Sequence, residues 1–141
     1  LEYILSDAAR EARRIDAPFG KICDPVGQPV ERGYSLLPWA IEQGRGLDFV
    51  RVFLRSVWAE GVDANSKGGM RRIVEAAGLD WQSARKILGN DDWREEAEAN
   101  RLEMMSLGVW GVPSFKIGDV VTWGQDRLWV IENELKKNRM T

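Results

Sequence analysis

Gln125 and Asp126 stand where an apolar pattern of helical period begins, just after Val120–Trp123 and Gly124. An aspartate in the first turn of a helix has an ordinary use, as a cap for a free backbone N–H. It also has a chemical use. Free N–H groups at a helix start attract a carboxylate, and the Asp126 anion attracts an ammonium. The pair would then clamp a ligand that carries both charges. Capping alone and capping with a clamp both stay open at this point. Upstream, Val112-Pro113 precedes a short apolar run. X-Pro is the one linkage at which cis costs little, about 1 kcal/mol. In cis, the Val112 N–H and C=O would turn outward, where an extended peptide could pair with them. In trans, the ordinary state, Pro113 opens a strand, where its missing N–H does no harm.

Other chemistry is scarcer. There is no histidine, which excludes a Ser-His-Asp triad, a Cys-His dyad or a histidine metal site built from this chain alone. Cys23 is the one cysteine, so no Cys-x-x-Cys and no internal disulfide exist here. A lone cysteine reads as a small buried hydrophobe. Glu95, Glu96, Glu98 and Glu103 look like paired carboxylates, but on a polar helix they are expected to face solvent. Arg71-Arg72 reads as a solvated face.

The elements that must position Val112 and Asp126 follow from pattern. Ser114–Ile117 and Val120–Trp123 are short β-rich runs, and Gly118-Asp119 between them suits a two-residue hairpin loop. Asp126 to Lys137 is expected to be a helix that buries Leu128, Ile131 and Leu135. Before the hairpin, Asp91 or Asp92 starts a longer helix to about Leu107. Glu2 to Ile15 reads as a helix with Ile4, Ala8, Ala12 and Ile15 on one side. Lys21 to Gly33, with Pro25, Gly27, Pro29 and Gly33, reads as a loop. Four helices are expected after it: Tyr34 to Gln43, one from about Asp48 to the stop at Gly61, Ser66 to Ala77, and Trp81 to Leu88 capped by Asp80. The middle of the chain is therefore an all-helical lobe, whose broad apolar faces serve as core.

Two motifs carry a resemblance. Gly108-Val109-Trp110-Gly111-Val112-Pro113-Ser114-Phe115, followed by Trp123-Gly124-Gln125-Asp126-Arg127-Leu128, resembles the closing half of the DsbA-like thioredoxin superfamily. The likeness is to the branch of 2-hydroxychromene-2-carboxylate isomerases and kappa-class glutathione transferases. Tyr3, Asp7, Arg10 and Ala17-Pro18-Phe19 resemble the segment that leads into that family's helical insertion. The resemblance implies an α/β fold: residues 1–15 as a helix leading into the insertion, 16–90 as the α-helical insertion, and 91–141 as the C-terminal thioredoxin-like half. It also implies that the N-terminal βαβ portion lies outside this chain, and with it the catalytic residue, a serine or a Cys-x-x-Cys.

The same resemblance makes cis the favoured state of Val112-Pro113 and implies glutathione as cofactor. Val112 and Pro113 would offer the backbone edge for its cysteinyl part, and Gln125 and Asp126 would hold its γ-glutamyl end. The expected activity is a glutathione-dependent isomerase or transferase acting on a small aromatic or conjugated substrate. A DsbA-like thiol–disulfide oxidoreductase and a non-catalytic peptide-binding member of the fold are the alternatives. One departure weakens the glutathione transfer: Cys23-Asp24-Pro25-Val26-Gly27-Gln28 stands where the family often has Phe-Pro-x-Asn.

Composition narrows the partners. A net charge of -2 and a pI near 5.3 argue against nucleic-acid binding. No apolar run approaches the ~20 residues of a membrane span. A cytoplasmic location is expected. Two strands alone make a weak sheet, so either upstream strands or a second copy, as in a homodimer, is expected to pair with the hairpin edge.

Overall fold

A computed structural model describes residues 2–139. They form α1 (Glu2–Arg14), α2 (Gln28–Glu42), α3 (Gly46–Trp58), α4 (Lys67–Ala76), α5 (Trp81–Ile87), α6 (Trp93–Ser106), β1 (Ser114–Ile117), β2 (Val120–Trp123), a 3-10 turn (Gln125–Arg127) and α7 (Leu128–Arg139). The chain divides into two compact units, the first ending at Trp93 and the second starting at Arg94.

The first unit is helical. α2 packs on α3, α3 on α4, α4 on α5, and α5 returns to α2. This ring encloses a core in which Leu36, Val57, Met70, Ile73 and Val74 are fully buried. Each such side chain contributes about 1.5–3 kcal/mol of burial. Polar ties close it: Gly89 N–H donates to Ser35 Oγ at 2.9 Å, and the Asn90 amide donates to Ser35 O at 2.9 Å. α1 is different. Only Ala12 is buried on it, and Ile4 and Ile15 are exposed.

α2 begins earlier than expected. The stretch Lys21 to Gly33 reads as a loop because of its prolines and glycines, yet the helix starts at Gln28. Pro29 sits in its first turn, where a missing N–H costs nothing and a fixed φ suits the helix. Cys23, expected to be buried, is only half-buried. Arg71 and Arg72 do lie on an exposed face, paired with Glu75 and Glu60.

The second unit holds the hairpin. β1 and β2 are antiparallel, with Ser114 opposite Trp123 and Ile117 opposite Val120. That register leaves Gly118 and Asp119 as the loop. Gly118 has φ 57°, while Asp119 keeps a negative φ, the signs of a II′ turn. α7 packs on both strands. None of the described residues from Arg94 onward is buried. Leu128 and Leu135 are each 49% exposed, so the buried face expected for them is corrected. A two-stranded sheet offers too narrow a surface to cover them.

Neighbouring glycines in α4 give a sharp contrast. A Cβ on Gly69 would lie 1.9 Å from the Asp63 carbonyl oxygen, whereas one on Gly68 would meet nothing within 4 Å. Gly69 N–H also donates to the capping Ser66 Oγ at 2.9 Å. We expect Gly68→Ala to stabilise the protein by about 0.5–1 kcal/mol through helix propensity. Gly69→Ala should destabilise it, since backbone must move. Urea unfolding of the two variants checks this; equal effects would refute the close approach.

A second expectation concerns acid. Hydrogen bonds from Ser83, from its side chain first and its backbone N–H next, hold the Asp80 carboxyl below the ordinary aspartate range. The folded value is lowered, so this capping contribution is present above the ordinary value of about 3.9 and is lost as pH falls through the lowered one. Asparagine caps as well but does not titrate. Asp80→Asn should therefore flatten the fall in stability below about pH 4, measured by urea midpoints across pH.

Candidate functional site

The second unit contains a groove of about 680 Å³ between the loop before β1 and the start of α7. Val112, Pro113, Gln125 and Asp126 all line it. They come together because the hairpin brings its two ends side by side. Gly124 N–H donates to Pro113 O at 2.9 Å, which fixes the loop against the residue before the 3-10 turn. Ser114 Oγ donates to Gly111 O within the same loop.

The Val112–Pro113 peptide bond is cis. Val112 is 84% exposed and lies at the groove. Asp126 is not in the first turn of an α-helix as expected. It sits inside the 3-10 turn that precedes α7. No Asp126 cap of the helix is found; its Oδ2 accepts from Arg127 Nη1 at 2.7 Å. Both side chains of that pair are more than half exposed, so water screens the attraction. A ligand ammonium would meet a carboxylate that already has one cation beside it.

Six further residues line the groove, among them Thr122, Trp123 and Arg127. Arg127 was legible as the neighbour of Asp126. Trp123 follows from strand register, since it faces Ser114 across the hairpin. The Trp110 and Trp123 rings are 4.5 Å apart at 50°.

A second, smaller cavity of about 280 Å³ lies between α6 and the hairpin, lined by Met104, Leu107, Phe115 and Val121 among others. Glu103 and Lys116 span it, with Lys116 Nζ 2.7 Å from Glu103 Oε1. The hydrogen bond to Glu103 raises the Lys116 ammonium above its usual range. Glu98, on the same helix, is bonded to Arg101, which holds its carboxyl below the usual range. Two of the four α6 carboxylates thus serve as exposed ion-pair partners rather than as an acid–base pair. Among the described residues, no group of three metal-ligating side chains occurs, and no helix is long and apolar enough to cross a membrane.

Comparison with known proteins bears on the fold. Curated 2-hydroxychromene-2-carboxylate isomerases from Pseudomonas sp. (strain C18), Sphingobium xenophagum and Pseudomonas putida are 24%, 27% and 26% identical to this chain. The matches cover 94%, 96% and 96% of it, but 61%, 68% and 65% of those proteins. The chain thus spans less than two thirds of the length of the Pseudomonas relatives. A solved structure of 2-hydroxychromene-2-carboxylate isomerase superposes with a TM-score of 0.70 at 20% identity, over 96% of this chain and 66% of that one. A family model for the DSBA-like thioredoxin domain matches residues 1–136. Hairpin, following helix and helical unit are thus parts of one known architecture, and this chain belongs to the DSBA-like thioredoxin domain family.

Proposed function

We propose that this chain forms the binding half of a glutathione-dependent isomerase acting on a small aromatic or conjugated carboxylate of the 2-hydroxychromene-2-carboxylate kind. The observation that carries the reading is the convergence of the exposed residue Val112 and polar Gln125 and Asp126 on one groove. The names of the relatives support the reaction class.

The groove fits the cofactor in kind. A tripeptide needs a backbone edge to pair with, and Val112 offers its N–H and C=O. Its γ-glutamyl end carries an ammonium and a carboxylate. Asp126 meets the ammonium, while Arg127 and the Gln125 amide meet the carboxylate. When bound, glutathione would supply a thiol able to add to a conjugated substrate and leave again, allowing rotation between the two events. The part of this chain is to hold and orient the tripeptide. Holding the thiol near one position converts an encounter into a unimolecular step.

The test uses the full-length protein. Calorimetric titration should show saturable glutathione binding, weakened about tenfold or more in Asp126→Ala by loss of a charge-assisted hydrogen bond. Isomerisation of 2-hydroxychromene-2-carboxylate, followed by absorbance, should require added glutathione. Binding that is absent, or unchanged in Asp126→Ala, would rule out the clamp. Turnover without glutathione would rule out the cofactor.

A further inference from the structure

Val112 is held in place by its neighbours, since the residue itself is 84% exposed. Pro113 O accepts from Gly124 N–H at 2.9 Å on one side. On the other side lies Gly111, whose carbonyl accepts from Ser114 Oγ. The Trp123 indole is seated directly on Gly111. A Cβ at position 111 would fall 2.1 Å from the indole Nε1 and Cε2, so only glycine permits this approach. Trp110, 71% exposed, packs against the same indole.

This arrangement is costly in one respect: Trp123 remains 43% exposed, so an aromatic ring spends much of its apolar surface on water. A smaller residue could end β2 with less exposed apolar area. What the large flat ring adds is a rigid floor under Gly111, because an indole has only two rotatable bonds and low conformational entropy to lose. With Gly111 seated and Pro113 O tied to Gly124, the peptide between them has both ends fixed.

We propose that Trp123 is a positioning residue: its indole, seated on Gly111, sets the direction of the Val112 N–H and C=O and so the affinity for the peptide-like part of the ligand. The ligand identity rests on the glutathione reading above; the positioning does not. A purely space-filling Trp123, which also borders the groove, would influence every groove ligand alike. A positioning Trp123 discriminates. It matters for a ligand that pairs with Val112 and is indifferent to one that reaches only Gln125 and Asp126.

Two probes separate these roles in the full-length protein. Glutathione uses both parts of the groove, while γ-glutamylethylamide keeps the γ-glutamyl end and has no second residue to pair with Val112. In NMR shift titrations, Trp123→Ala should weaken glutathione about tenfold, the worth of one or two hydrogen bonds, and change γ-glutamylethylamide by less than about twofold. Trp123→Phe keeps a flat ring on Gly111 and should recover glutathione to within about threefold of wild type. Equal weakening of both probes, or of neither, overturns the proposal. A ligand-free arm reads the positioning itself. Gly111→Ala evicts the indole without altering it, and should speed exchange of the Gly124 amide, the donor to Pro113 O, by about tenfold. Unchanged exchange overturns the proposal. Faster exchange in a protein that binds no glutathione supports the positioning and overturns the glutathione reading alone.

Discussion

The hydrogen bond from Gly124 to Pro113 closes the hairpin at the end opposite its tight turn. Strand pairing alone would leave the loop before β1 free to splay from the start of α7. With Pro113 O tied to Gly124, the exposed residue Val112 and the polar pair Gln125 and Asp126 are forced to share one groove. The groove is therefore a product of backbone geometry, and its chemistry comes from a few side chains placed on that frame. This is an economical way to build a site for a peptide-like ligand, because the edge that pairs with the ligand needs no particular side chain at position 112.

The two units reach stability by different routes. In the helical unit a closed ring of four helices excludes water from large aliphatic side chains, and Ser35 and Asn90 tie its ends. In the hairpin unit no described residue is buried, and order comes from strand pairing, the packing of α7 on the strands, and short polar ties within the loop. Exposed ion pairs such as Glu103 with Lys116 add little under solvent screening. Their service is to fix where long side chains lie around the small cavity beside α6.

Much of this was legible in the sequence. The hairpin followed from two β-rich runs around Gly118-Asp119, and the caps Ser66 and Asp80 followed from residue type and spacing. The core of the helical unit followed from the apolar face of α4 and only in part from the wider one of α3, where Val50 and Leu54 are exposed. What was missed has physical reasons. Pro29 looked like a breaker because position within a helix, rather than presence, decides what a proline does. Leu128 and Leu135 looked inward because periodicity reports which face is apolar without reporting whether anything covers it. Asp126 looked like a helix cap because a 3-10 turn and an α-helical first turn share the same residue preferences. The role of Trp123 was invisible until strand register set it against the loop that holds Gly111.

The contrast in burial bears on how such a protein can change over time. Substitutions inside the ring of α2 to α5 leave cavities or clashes, and the molecule as a whole feels them. Side chains along the groove are bound by no comparable packing debt, since the frame beneath them is made of backbone ties and one seated indole. Residues such as Thr122, Gln125 and Arg127 can therefore drift in size and charge while the scaffold persists. New ligand preferences would be reached by single steps at the rim of the groove, with Gly111 and Trp123 as the pair that cannot drift independently.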